Sequence, residues 1–282
     1  MNRPSWQLPK GVDRGTWDYV QSSTIATEYE SFLRTHPLFQ LDSDLVAQQV
    51  AALSLELGQQ TLIAADLGCG TARIARQWLS ASEKSDSSNR RWRWLNVDLS
   101  SHMLQQARQS LSDEVGIHCI NHAGFVNANL AEPGFIRPGS IALAVSLFSS
   151  LGMVRGSANR TRLLQGVYDW LSDKGQLIVH AHNRYACLRD PGGLRWLLSS
   201  RVRSWFSTAE FGDRVYPYRG LPAMFLHIYS RRELVRELQS SGFSQIRIVC
   251  HSKNGDQILP SGRPLRNAFC GGFFAIATKA DS

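Results

Sequence analysis

Two short stretches of this chain carry residue types that do chemistry. The first reads Ala65-Asp66-Leu67-Gly68-Cys69-Gly70-Thr71-Ala72-Arg73, an acid followed by two glycines at alternate positions. A glycine turn lets a backbone come close to a ligand, because no Cβ stands in the way. Asp98 ends the next apolar stretch, and an acid at the end of a neighbouring strand can hold a ribose through its two hydroxyls. The second stretch is Val179-His180-Ala181-His182-Asn183-Arg184. An imidazole changes charge near physiological pH and so serves as a general base or a hydrogen-bond partner. The combination describes a nucleoside-binding site with a reactive edge.

Such residues act only when regular elements hold them. Residues 61–67 form an apolar run into the glycine turn, and residues 94–100 form a second one ending at Asp98. Ser101-His102-Met103-Leu104 opens a helix after it. Residues 141–145 suit a central strand, with 146–152 as the loop that follows. Residues 163–171 repeat apolar side chains at helical spacing, with Lys174-Gly175 as the stop signal. Residues 176–180 are the next strand, 231–238 an amphipathic helix closed by Ser241-Gly242-Phe243, and 246–249 with 273–278 a final hairpin. Strand alternation puts His180 and His182 on one face, with His182 nearer the carboxyl edge where open α/β sheets bind ligands.

Two nucleosides compete for the glycine turn. A dinucleotide fingerprint needs Gly-x-Gly-x-x-Gly, and its third glycine position is Arg73 here. Asp66 would repel a pyrophosphate but suits the cationic end of a sulfonium amino acid. The pattern Asp-x-Gly-x-Gly resembles the first motif of the class I S-adenosylmethionine-dependent methyltransferases, with Ala72 where that family often has another glycine. Trp94-Leu95-Asn96-Val97-Asp98-Leu99-Ser100 is similar to the family's second strand. Asp98 lies 28 positions after Gly70, beyond the usual gap of about 20, and the polar loop 81–90 accounts for the excess. The resemblance spans residues 45–280. It implies that Asp66, Gly68, Cys69 and Gly70 hold the methionine end of S-adenosyl-L-methionine and that Asp98 binds the ribose. Leu99 and Met103 would lie against the adenine, with Asn129 and Leu130 at its edge and Leu147 closing the site. Asn129 replaces the family's usual Asp, and Ala142 stands where the family commonly places another.

Segments outside the common core choose the substrate. The resemblance implies that residues 1–45 form a helical lid over the cofactor, with Tyr19 and Tyr29 as the candidates inside it; the alternative is that both rings simply pack helices onto the sheet. Residues 184–226 are expected to form an inserted cap rich in aromatics. Its seven arginines against three acids leave +4, half of the chain's +8. Such a cap suits an aromatic or anionic small molecule, or is a small helical subdomain with solvated arginines. His182 is the candidate base or substrate partner, with Asn183, Arg184 and Tyr185 orienting the substrate. Ser149, Ser150, His180 and His227 rank behind it.

The resemblance implies an α/β, Rossmann-like fold: a doubly wound, mostly parallel seven-stranded sheet with an antiparallel last strand, in a methyltransferase domain over 46–282. At 282 residues the chain can bury one sizeable core. Five scattered cysteines without a Cys-x-x-Cys pair point to reduced thiols and no metal site. Residues 1–15 do not resemble a signal peptide and no apolar run approaches about 18 residues, so a cytoplasmic protein without a membrane partner is expected. A pI near 9.5 raises RNA as a partner. Yet Arg90-Arg91-Trp92-Arg93-Trp94 alternates at period two, as a strand does, and no Pro-Pro-aromatic loop or Pro-Cys pair is present. Methyl transfer to an O or N atom of a small molecule leads; RNA methylation and cofactor binding without turnover follow. Oligomeric state is left open.

Overall fold

The apolar run before the glycine turn becomes the centre of a sheet in the computed structural model, which describes residues 7–33, 36–58, 61–83, 91–116, 121–261 and 269–280. Residues 84–90 of the polar loop, with Arg90, and also Cys119 lie outside the described residues. β1 (Leu62–Leu67) pairs in parallel with β2 (Trp92–Asp98) on one side and β4 (Ile141–Ser146) on the other. β4 is buried along its whole length, the pattern of a strand covered on both faces. In β2, Trp92 and Trp94 are buried while Arg93 is exposed. Alternation therefore reflects strand geometry, as the period-two reading expects.

β3 (Ala123–Asn127), β5 (Leu171–His182), β8 (Gln245–His251) and β9 (Gly272–Thr278) complete a seven-stranded sheet in the order β3-β2-β1-β4-β5-β9-β8, with β9 antiparallel to both neighbours. Strand order reverses between β1 and β4, and an open sheet leaves a ligand crevice at that point. Helices α3 (Leu38–Glu56), α4 (Arg73–Glu83), α5 (Ser101–Val115), α7 (Ser157–Trp170) and α9 (Arg231–Ser240) surround the sheet. Two apolar cores result. Leu45, Val50 and Leu53 of α3 pack with Trp92, Trp94 and Phe274, while Leu163 and Val167 of α7 pack with Leu234 and Phe273.

Two boundaries differ from the sequence expectation. Lys174-Gly175 does not end a helix: α7 stops at Trp170 and β5 begins at once. The pair forms an irregularity within β5, where Lys174 takes φ 60° and pairing with β4 shifts register. The expected lid boundary at residue 45 falls inside α3. The segment expected to act as a lid forms α1 (Arg14–Val20) and α2 (Ser23–Leu33). Ser100 Oγ donates to Val20 O at 2.7 Å and Arg76 holds Glu30 at 2.9 Å. These bonds tie the lid to the helices after β1 and β2.

The insert after β5 holds a 3-10 turn (Arg184–Arg189), α8 (Gly193–Phe206) and an antiparallel hairpin, β6 (Asp213–Tyr218) with β7 (Leu221–His227). It is thus helix plus hairpin rather than wholly helical. Buried ion pairs fasten it. Arg160 of α7 meets Glu210 at 2.6 Å and Glu237 at 2.8 Å, and Arg184 pairs with Glu233. His227 bonds Asp213 at 2.7 Å and Glu233 at 3.1 Å. Burial opposes a charged His227 ring, but the two carboxylates outweigh it and raise the pKa. The remaining short helix, α6 (Ser150–Met153), follows β4. No helix among the described residues is long and apolar enough to cross a membrane.

Candidate functional site

The glycine turn after β1 is shaped by close approach. Gly68 has φ 76°, and a Cβ there would sit 2.7 Å from the Cβ of Ser150. Gly70 has φ 54°, with the Tyr29 ring 3.3 Å from where its Cβ would be. Both backbones favour glycine; Gly68 has no room for a side chain, and Gly70 is tight against the Tyr29 ring. The Gly68 and Cys69 amides donate to Val97 O at 2.8 and 3.0 Å, which pins the turn to β2. Ala72 adopts φ 55°, so the position where the resembled family carries glycine is left-handed here too.

Asp98 completes the turn from the neighbouring strand. One carboxylate oxygen accepts from the Gly70 amide at 2.8 Å and the other from the Ser100 amide at 2.8 Å. A carboxylate has about four acceptor sites, so Asp98 keeps capacity for a further donor beside its backbone bonds from Gly70, Ser100 and Leu99. Burial pushes Asp98 up to about 6 against those hydrogen bonds, and pushes Asp66 up to about 7. The cost of burying these two carboxylates is the kind of strain found at ligand sites.

One cavity joins these groups. Asp66, Gly68, Cys69, Gly70, Asp98, Leu99, Asn129, Leu130 and Leu147 line it, as do Tyr19 and Tyr29 from the lid and His182 from the end of β5. Eleven of the twelve expected cofactor residues therefore meet in one place, together with the expected base. Arg73 is the one guanidinium among the lining residues. Asp42 holds it through two bonds of 2.7 and 2.8 Å, so its charge is balanced and the cavity's own charge is that of Asp66 and Asp98. Burial raises the phenol pKa of Tyr19 and Tyr29, which keeps both as hydroxyl donors.

The loop after β4 supplies the opposite wall. Phe148 and Ser149 both take left-handed backbone, φ 48° and 64°, a cost of about 1–2 kcal/mol each for residues with a Cβ. The bend puts Phe148 into the cavity wall and lets Ser149 Oγ accept from the His182 amide at 3.0 Å. The His182 ring stands edge-on to Phe148 at 5.9 Å and to His180 at 5.0 Å. Burial lowers the His182 pKa to about 4, so the ring is neutral with a lone pair at physiological pH. His180 is fully buried and meets His251 at 3.0 Å; it belongs to the core. Ser150 Oγ donates to Leu147 O at 2.8 Å. His227 belongs to the ion pairs of the insert.

Several expected residues lie elsewhere. Met103 is buried beneath the lid against Ile25 and Ala26 and does not line the cavity. Asn129 does line it, but its amide oxygen already accepts from Ala131 N at 3.0 Å and its nitrogen donates to Lys10 O at 2.9 Å. Asn183 caps the 3-10 turn through Tyr185 N and holds Cys270 O at 2.9 Å. Arg184 lies over Phe211 and bonds Ile228 O at 3.1 Å and Glu233. Asn183, Arg184 and Tyr185 are absent from the cavity wall, because the chain turns away from the site after His182. None of the insert's arginines lines the cavity either, so the anionic-acceptor expectation loses its basis in the cap. The hairpin instead contributes Tyr216, Tyr218, Met224 and Leu226, and the core adds Phe39 and Met153. Tyr216 and Tyr218 are two apart on one strand and share a face; that spacing is the signal the sequence held for them.

No protein-family model matches this sequence, and no curated protein resembles it closely enough to match. Solved structures do. The chain superposes on an S-adenosylmethionine-dependent methyltransferase of Clostridium acetobutylicum with TM-score 0.58, 12% identity, and 91% of this chain covering 98% of that one. For such a protein from Methanosarcina mazei the values are 0.55, 18%, 80% and 95%. For the N-methyltransferase NodS of Bradyrhizobium japonicum, bound to S-adenosyl-L-homocysteine, they are 0.50, 11%, 88% and 90%. With its seven-stranded, mostly parallel sheet and reversed β9, the chain has the class I fold of the S-adenosylmethionine-dependent methyltransferases.

Proposed function

We propose that this protein is a methyltransferase that uses S-adenosyl-L-methionine to methylate an O or N atom of a small, apolar or aromatic molecule. One observation carries the reading. The glycine-floored cavity holds two buried carboxylates, while its guanidinium is neutralised by Asp42. A cavity of that charge favours a cationic ligand and repels a pyrophosphate. The fit is local as well as electrostatic, since Gly68 and Gly70 keep side chains off the turn where it meets Ser150 and Tyr29, which line the same cavity.

In this reading Asp66 receives an ammonium and Asp98 accepts from a ribose hydroxyl; what supports it is that both carboxylates line the cavity beside the glycine turn. Tyr19 and Tyr29 close the lid side, and Leu99, Leu130 and Leu147 offer apolar contact. Bound S-adenosyl-L-methionine supplies an electrophilic sulfonium methyl group. The protein's work is then to position the acceptor and keep water out. His182, neutral and half-buried, can take the proton of a hydroxyl or ammonium acceptor or hold it by a hydrogen bond. Phe39, Phe148, Met153, Tyr216 and Tyr218 give the acceptor side an aromatic and apolar wall.

Methylation of RNA is the second reading, supported by the net charge of +8; the insert's arginines, however, do not border the cavity. Incubation with methyl-labelled cofactor and either a metabolite extract or total RNA separates the two. Label in a small organic product supports the proposal and label in RNA replaces it. Binding of S-adenosyl-L-homocysteine with no labelled product from either pool marks a cofactor-binding protein.

A further inference from the structure

The helix α8 is hardly packed at all. Gly193 and Ser200 are its buried residues, and the rest of its surface faces outward or partly so. Leu194, Leu198 and Val202 are 59%, 60% and 49% exposed, and Trp205 and Phe206 reach 65% and 83%. Successive spacings of four, four and three put Leu194, Leu198, Val202 and Trp205 on one stripe about 80° wide. Phe206 extends it at the carboxyl end, and the exposed Leu188 of the preceding turn joins the same surface hollow. Arg201 and Arg195 border the stripe on its two sides, and Arg189 and Arg203 are exposed nearby. The helix contains no acidic residue. Asp190, the acid beside it, is paired with Lys253.

We propose that this face seats the protein on an anionic lipid surface. A stripe of Leu, Val, Trp and Phe flanked by arginines is the pattern of a helix lying in a membrane interface. Aliphatic side chains enter the acyl boundary while guanidinium groups meet lipid phosphates. A second copy of the chain is a poorer occupant, because apposed faces would bring arginines together with no carboxylate to balance them. RNA is poorer too, since phosphates cannot cover the aliphatic stripe between the arginines. Surface seating needs no membrane span, which is why the absence of an apolar run gave no sign of it. The face lies in the same insert as Tyr216, Tyr218, Met224 and Leu226 of the cavity wall. The proposal does not depend on methyl transfer.

Flotation of the full chain with lipid vesicles tests it. The expected result is that the protein floats with phosphatidylcholine vesicles containing about 30% phosphatidylglycerol, stays behind with pure phosphatidylcholine, and is released by salt. The double variants Leu198→Ser with Phe206→Ser, and Arg195→Glu with Arg201→Glu, each lower partition by about tenfold or more. All these positions are exposed, so circular dichroism stays unchanged and the melting temperature moves little, Arg201 giving up its contacts over Trp205 and Phe211. The proposal is overturned if the protein does not float with the mixed vesicles, or if flotation survives both variants. It is equally overturned if the face instead mediates a dimer seen by light scattering, or binds total RNA in preference to the vesicles.

Discussion

Replacing Asp66 by Asn should stabilise the empty protein while weakening its ligand. Burial raises Asp66 from the ordinary 3.8 to about 7. A folded-state pKa above the unfolded value means that the protonated acid is favoured by folding. The corresponding stability is fully present below about pH 4 and is lost as pH rises through 7. The displacement corresponds to about 4 kcal/mol at pH 8, an upper bound because the cavity admits water. Asn is uncharged at every pH and escapes that loss. Thermal melts at pH 5 and pH 8 should show the variant's gain over the wild type growing with pH, from about 1.5 to about 4 kcal/mol at most, at about 2–4 °C per kcal/mol. Asp98 and Asp42, both raised to about 6, follow the same sign in both proteins; both also repel the Asp66 carboxylate, so the variant relieves them and its gain at pH 8 is larger for it. The variant loses one charge-assisted contact, about 1.5–3 kcal/mol, so its Kd for S-adenosyl-L-homocysteine should rise roughly tenfold to a hundredfold. Wild-type affinity for the same ligand should increase from pH 6 to 8 as Asp66 ionises. Equal melting at pH 8, or undiminished affinity, would refute the assignment of Asp66 as the buried counter-charge.

Other perturbations follow from the same geometry. Asp98→Ala should cost one or two charge-assisted hydrogen bonds to the ribose, about 1.5–3 kcal/mol each; calorimetric titration with S-adenosyl-L-homocysteine measures it, and an unchanged Kd removes the ribose role. Gly68→Ala meets Ser150 at 2.7 Å on a backbone of φ 76°, so denaturant melts should show a loss exceeding the about 1–2 kcal/mol of left-handed strain alone. His182→Gln should lower kcat by about a hundredfold or more with cofactor affinity intact, and the wild-type rate should show no His182 inflection between pH 6 and 8. An unaltered kcat would assign the ring to packing. Arg160→Met strands Glu237 and the partly exposed Glu210 and should destabilise the fold by about 3–5 kcal/mol, read as a lower denaturation midpoint.

What could be read from residues alone was what local rules decide. Asp66, Gly68, Gly70 and Asp98 announce themselves because a glycine turn between a strand and a helix has few alternatives, and the acids flank it at fixed offsets. The alternation of Trp92 and Trp94 with Arg93 told strand from RNA-binding patch for a similar reason, as side-chain direction along a strand has period two. The doubly wound, mostly parallel sheet with its reversed last strand came with the resemblance to the methyltransferase family, and the strand order itself came from the structure. Tertiary structure decided the rest. Whether the arginines of residues 184–226 face the cavity depends on how the insert folds back, and the ion pairs of Arg160, Arg184 and His227 turn them away. Phe148 enters the cavity wall through a left-handed bend that no residue type at that position foretells. Met103 lost its expected place because α2 covers it. Contacts between segments far apart in the chain are set by the whole packing, and short-range pattern carries no record of them.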